Sequence, residues 1–290
     1  MSSNIISVEN DDSFHKLDVK NIIVEKPNQK PTPNQKGVWA NIKYKYEGKL
    51  DKLKIQTTQL FSYGISRYEE TSPSKMSFVM RDRKLREMQA NGEQLSDEQL
   101  LDIELEDGTV KILEDIMSKV REELMTSEMI AALNKTRDKK WASNVESMEI
   151  VKRKEQDNGI DSVYMYAKVV EGNNFMKTKF YDNDDQPLDL ADTVVRLLDK
   201  NITCRVIAMI VVDSVFIGAK EPYIQLKLSE AILSSVIESK PKRDIRLSSH
   251  LKNKLVSEKP IACDSDSDSD SPSVTCSNKK VINNDSDSDN

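Results

Sequence analysis

Residues 187–236 read PLDLADTVVRLLDKNITCRVIAMIVVDSVFIGAKEPYIQLKLSEAILSSV. Pro187 opens a helix over Leu188–Leu198, with Asp189 and Asp192 in its first turns, where a carboxylate suits the positive helix end. Two long runs rich in Val and Ile follow, Ile202–Ile217 and Tyr223–Val236, and such runs read as buried strands. Cys204–Gly218 is too short to span a bilayer and is interrupted by Asp213. Upstream, strands are expected at Val38–Tyr46, Leu50–Phe61 and Lys75–Arg81, with a tight turn at Gly48, and then at Val145–Lys152, Val163–Val170 and Phe175–Tyr181. The order is strands, one helix, then a closing pair of strands. It predicts a mainly β protein, an OB-like five-stranded barrel with a helix before its last two strands. Other α+β folds would give the same string.

Between these strands the pattern changes. From about residue 83 to 141, Leu85, Met88, Leu95, Leu100, Leu101, Ile112, Ile116, Val120, Leu124, Met129, Ile130 and Leu133 recur at mixed three- and four-residue spacing. That is an amphipathic helical insert. A break is expected near Asp107-Gly108, and Ser96-x-x-Gln99 is a capping-box pattern. Residues 1–35 read as a disordered arm, with an amphiphilic stretch at Phe14–Val24 and a Pro/Asn/Gln/Lys linker, so the barrel should occupy 36–240. Residues 241–290 read as a disordered tail, basic and then acidic, with Asp-Ser repeats.

Charge is segregated. The chain has net −6. Residues 264–290 hold seven Asp and two Lys, and Glu93–Glu128 holds twelve acids and three bases. The remainder is therefore basic, by about +8. Three cysteines without a pairing pattern fit a reducing compartment. The polar, acidic start carries no secretory signal pattern. His15 and His250 are the only histidines, and the chain has no P-loop, dinucleotide fingerprint, HExxH or GxSxG. No enzyme, cofactor or metal is expected. Asp182, Asp184 and Asp185 read as a turn.

The candidate binding residues come from strand alternation. Tyr164, Tyr166 and Lys168 share one face of their strand, while Val163, Met165, Ala167 and Val169 share the other. Phe175, Lys177, Lys179 and Tyr181 alternate with Met176, Thr178 and Phe180. Glu171-Gly172-Asn173-Asn174 reads as a hairpin turn that would put both outer sets on one surface. Trp39, Lys43 and Lys45 share the outer face of the first strand, and Lys52 and Lys54 share a face of the second. Rings that stack on bases beside cations that meet phosphates are what single strands require. Exposed aromatics also stabilise sheets by cross-strand pairing, roughly 0.2–1 kcal/mol each, but recurrence on three strands, always with Lys, favours nucleic acid. The alternative is a virion or scaffold protein that uses the same face to bind another protein. Phe61, Tyr63, Arg67 and Tyr68 form a further aromatic loop with a base, as readily a loop anchor as a site. Asp264, Asp266, Asp268 and Asp270, with Ser265 and Ser267 between them, could occupy a basic groove as a polyanion, and phosphorylation of those serines would deepen the charge.

Three segments, YMYAKVVEGNNFMKTKFYD (164–182), PLDLADTVVRLL (187–198) and CRVIAMIVVDSVFIGAKEPYIQLKLSEAIL (204–233), resemble a single-stranded-DNA-binding family of nucleo-cytoplasmic large DNA viruses, itself distantly similar to the phage T7 type. The resemblance spans about 37–61 and 163–236. It implies an OB fold, sequence-tolerant binding of single-stranded DNA in viral replication, recombination or repair, and an acidic tail that contacts viral replication proteins. It further implies a location in the host cytoplasm, at a viral replication site or in the virion. A homodimer is left open. Phage-type proteins end on an aromatic residue, whereas this chain ends Ser288-Asp289-Asn290.

Overall fold

Two residues with positive φ, Glu47 (47°) and Gly48 (77°), form a two-residue turn that sets Tyr46 opposite Lys49. Positive φ at both positions is what a tight primed hairpin turn needs. The computed structural model describes residues 5–9, 14–27, 37–134, 139–155, 160–172, 176–199, 202–218 and 222–238. The chain divides into Met1–Pro241 and Lys242–Asn290, and every described element lies in the first unit. In chain order these are β1 (Ile5–Ile6), β2 (Ile22–Val24), β3 (Gly37–Tyr46), β4 (Lys49–Gln56), β5 (Leu60–Ser62), β6 (Ile65–Ser66) and β7 (Lys75–Val79). Helices α1 (Arg83–Ala90), α2 (Asp97–Leu124) and α3 (Ser127–Asn134) follow. Then come β8 (Lys152–Lys154), β9 (Ser162–Val169), β10 (Lys179–Tyr181), β11 (Pro187–Leu188), α4 (Leu190–Leu197), β12 (Ile202–Gly218) and β13 (Tyr223–Glu238).

Five strands close on themselves. β5 pairs β7, β7 pairs β9, β9 pairs β13 in parallel, β13 pairs β12, and β12 returns to β5. With β5 as strand one this is the circuit 1-2-3-5-4-1, with its single parallel contact between strands three and five. The expected OB-like barrel is the fold. β12 makes closure possible. Bulges at Arg205/Val206, Met209/Ile210 and Val212/Ser214 bend it, as extra residues in one strand do. One edge of this strand then serves β5, β4 and β3 in turn. The inward residues of the barrel, among them Leu60, Met76, Phe78, Val163, Met165, Ala167, Cys204 and Val206, are almost completely buried.

Several local expectations are corrected. Pro187 does not start the helix; it pairs with Tyr181, and α4 begins after Asp189, whose side chain accepts from the Asp192 N–H at 3.0 Å. An Asp N-cap satisfies a free helix N–H directly. The capping box at Ser96 and Gln99 forms, but α2 runs unbroken through Gly108. A Cβ there would meet Val8 Cγ1 at 2.9 Å. The glycine therefore admits the N-terminal segment against the helix, although Gly in a helix costs about 1 kcal/mol relative to Ala. The stretch expected as a free arm is part of the sheet at two points. Ile5–Ile6 pairs β4, Ile22–Val24 pairs β3, and Ile6 and Ile22 are buried. The strand expected at Val145–Lys152 is instead irregular chain that buries Val145, Met148, Ile150 and Val151, and strand begins only at Lys152. Among the described residues no helix is long and apolar enough to cross a membrane.

Candidate nucleic-acid interface

The expected hairpin at 163–181 does not form. β10 does not fold back on β9; it continues in line with it along the edge of β13, with Lys168 opposite Lys227 and then Lys179 opposite Glu230. Both contacts are parallel, and a hairpin would have made β10 antiparallel to β9. Thr178 anchors the intervening segment, its hydroxyl donating to Leu228 O at 2.6 Å while accepting from Val170 N–H at 2.8 Å. The expected joint surface therefore splits. Tyr164, Tyr166 and Lys168 stay together on β9. Lys179 is ion-paired with Glu230 at 3.3 Å, which raises the lysine above its ordinary range, and Tyr181 lies beside Ile232. Lys177 is exposed outside any strand, and Phe175 lies outside the described residues.

What the register assembles around Tyr164 is larger than any single strand suggests. Cross-strand partners share a face. Lys152 pairs with Tyr164, Tyr164 with Val79, Val79 with Phe61, and Phe61 with Arg205. These five side chains form one row on the outside of the barrel. At an inter-strand spacing of about 4.8 Å the row is about 19 Å long. It has a base at each end. The Arg205 guanidinium carbon stands 5.8 Å from the centre of the Phe61 ring, within cation–π range. Tyr63 meets Phe61 edge-on at 5.1 Å and is 58% exposed. Gly64 follows with φ 80°, and a Cβ there would sit 2.4 Å from Leu197 O of α4, so both its backbone angle and its surroundings call for glycine. Arg83 stands at the same corner. It is held above its ordinary range chiefly by its hydrogen bond to Glu87.

A second row lies four residues along the strands. Ser66 pairs with Lys75, Lys75 with Lys168, and Lys168 with Lys227. Lys227 is balanced by Asp213 at 2.7 Å. Lys75 and Lys168 have no ion-pair partner among the described residues, although like charges directly opposite destabilise a sheet. Between the rows stands Tyr166, 42% exposed and opposite Ser77. Tyr164 and Lys168 each pair with β7 on one edge, so their other partners, β8 and β13, share the opposite edge of β9. The basic strand β8 thus fills the gap where β13 has not yet joined.

The remaining candidates sit elsewhere. On β3 the expected alternation holds, with Val38, Ala40, Ile42 and Tyr44 buried and Trp39, Asn41, Lys43 and Lys45 facing out. Trp39 belongs to a cluster with Phe216 and Tyr223. Lys43 is directly opposite Lys52, a second like-charge pair, and Lys52 Nζ is 3.6 Å from Met176 Sδ. Lys54 pairs with Val211. Asp182, Asp184 and Asp185 form a turn in which the Asp182 side chain accepts from the N–H groups of Asp184 and Gln186. Among the described residues no three His, Cys, Asp or Glu are grouped to hold a metal ion. The tail residues 264–270 lie outside the described residues. Lys75, Lys152 and Arg205 were absent from the sequence candidates. Each sits at an outward position of a predicted strand or beside one, and that is the signal that could have found them.

Fold and face together define an OB-type barrel whose strands one and three carry outward aromatic rings bordered by cations. A family model described as "Protein of unknown function (DUF2738)" matches residues 16–284, and the chain belongs to that family. No curated protein matches it. Among solved structures it is similar to the single-stranded DNA-binding protein from bacteriophage Enc34 in complex with ssDNA, at TM-score 0.38 and 12% identity over 74% of this chain and 97% of that one. A C-terminal truncation of the same phage protein gives TM-score 0.37 and 11% identity, over 76% of this chain and 99% of that one. At these values the likeness is too distant to carry function across.

Proposed function

We propose that this protein binds single-stranded DNA without sequence preference, through the outer face of β5, β7, β9 and β8, and that it is a binding protein rather than an enzyme. The observation that carries this is the register row Lys152–Tyr164–Val79–Phe61–Arg205 beside Lys75 and Lys168, which have no ion-pair partner among the described residues. The face of strands two and three is where an OB barrel takes oligonucleotides. Rings offer stacking to any base whose face is free, which a single strand provides and a duplex does not. The bordering lysines Lys75, Lys152 and Lys168 meet phosphates, which carry charge but no sequence, while Arg205 is ion-paired with Asp82 at 2.9 Å. The setting we propose is viral DNA replication, recombination or repair, as the resemblance of residues 164–233 implies.

The test is a titration with single- and double-stranded oligonucleotides over a salt series, repeated with Tyr164→Ala/Tyr166→Ala. Single strands should bind more tightly, and affinity should fall as salt rises. The double variant should lose roughly 1–3 kcal/mol per unstacked base. Its melting temperature should hold, because Val163, Met165 and Ala167 are the buried set. Absence of binding at low salt, or unchanged affinity with a lowered melting temperature, refutes the proposal and leaves protein–protein contact as the use of this face.

A further inference from the structure

We infer that Trp39, Phe216 and Tyr223 form a second base-stacking platform on the same single-strand track, joined to the first through Lys227 and Lys168; this rests on the single-strand reading above.

The three residues are register partners across β3, β12 and β13, Trp39 with Phe216 and Phe216 with Tyr223. They share the outer face. Ring centres are 4.8 Å apart for Trp39 and Phe216, and 5.2 Å for Phe216 and Tyr223. The cluster is built around Phe216. A Cβ at Gly37 would lie 2.2 Å from its Cζ, and one at Gly218 2.7 Å from its Cε1. Only glycine on both sides leaves room for this ring against the backbone. Phe216 forms the half-covered floor, while Trp39 and Tyr223 stay 36% and 46% exposed.

The route to the first platform is short. From Tyr223 the outward positions of β13 lead through Gln225 to Lys227, about 13 Å at strand rise. Lys227 is opposite Lys168, two residues from Tyr166. Beyond Trp39, the outward positions of β3 are Asn41 and Lys43, with Lys52 opposite Lys43. Lys43 and Lys52 have no ion-pair partner among the described residues. β3 and β13 both run antiparallel to β12, so Lys43 with Lys52, and Lys227 with Lys168, lie toward the same end of the aromatic cluster. A polyanion carrying stackable bases matches that order; an apolar or cationic partner does not.

The chain has two tryptophans, and Trp141 is 1% exposed. Emission that responds to bound DNA therefore reports Trp39. Full-length protein is titrated with labelled oligothymidylates of roughly 6 and 25 nucleotides, reading anisotropy of the label and tryptophan emission together. Saturation with the long oligonucleotide should quench Trp39. Trp39→Ala should weaken the long oligonucleotide on the order of tenfold while leaving the short one unchanged. If the long oligonucleotide binds by anisotropy while emission and the Trp39→Ala affinity stay unmoved, the second platform is overturned and the first stands. If neither length binds at low salt, the single-strand reading itself falls.

Discussion

Replacing Lys75 and Lys168 together by Gln should move stability and binding in opposite directions. The two side chains are direct cross-strand partners on β7 and β9, and neither has an ion-pair partner among the described residues. Two like charges 4 Å apart repel by about 1 kcal/mol in water, and by about half that at roughly 8 Å, where flexible lysines can splay. Screening at 0.1 M salt trims this further, since the Debye length is about 10 Å. Removing the pair should therefore stabilise the barrel by about 0.3–0.5 kcal/mol, or about 1–2 °C in Tm for a unit of this size. Binding should weaken. Each phosphate neutralised on a single strand contributes about −0.7 to the slope of log affinity against log salt. Loss of two contacts should flatten that slope by about 1.4. Between 1 M and 0.1 M salt the same slope amounts to about 25-fold in affinity at the lower concentration. The assay pairs thermal melts with oligonucleotide titrations at four or more salt concentrations. An unchanged slope with a lowered Tm would falsify the reasoning, because it would make the lysines part of the fold and not of the interface.

Two further outcomes are expected. Glu106 is almost fully buried, accepting from the Asp82 N–H and Arg86; burial, the largest influence, raises its carboxyl above the ordinary value of 4.5. A raised folded-state pKa stabilises most below the unfolded value and is lost as pH rises through the folded one. Melts of the wild type and Glu106→Gln should accordingly show the wild type gaining on the variant as pH falls toward about 4.5, and parallel curves would remove Glu106 as the titrating group. Deleting residues 264–290, which carry seven Asp against two Lys, should strengthen single-strand binding, most at low salt, because a tethered anion competes at high effective concentration; equal dissociation constants at two salt concentrations would show that the tail does not compete.

Alternation along a strand identifies a face, and the faces were legible. Val38, Ala40, Ile42 and Tyr44 point inward because one side of β3 is covered, and the polar set between them points out. The same holds for Tyr164, Tyr166 and Lys168 on β9. Alternation does not identify a neighbour. Residues 171–174 carry the composition of a hairpin turn, and a hairpin would have placed Lys177, Lys179 and Tyr181 beside Tyr164. Instead, the edge of β13 offers unpaired backbone groups beyond Leu228, and β10 takes them. A backbone partner left open on a long strand outweighs a local turn preference, because buried N–H and C=O groups must be paired. Gly108 shows the same ordering of effects, a local helix breaker retained where Val8 needs the space. The row from Lys152 to Arg205 is the extreme case. Phe61, Val79, Tyr164 and Arg205 come from four strands, and the register that aligns them depends on how β12 bends, beginning with the bulge at Arg205/Val206. Each of those residues is ordinary in its own strand. A binding face on a closed barrel is a property of register, so candidates drawn from one strand keep their place while candidates joined by an assumed pairing move with it.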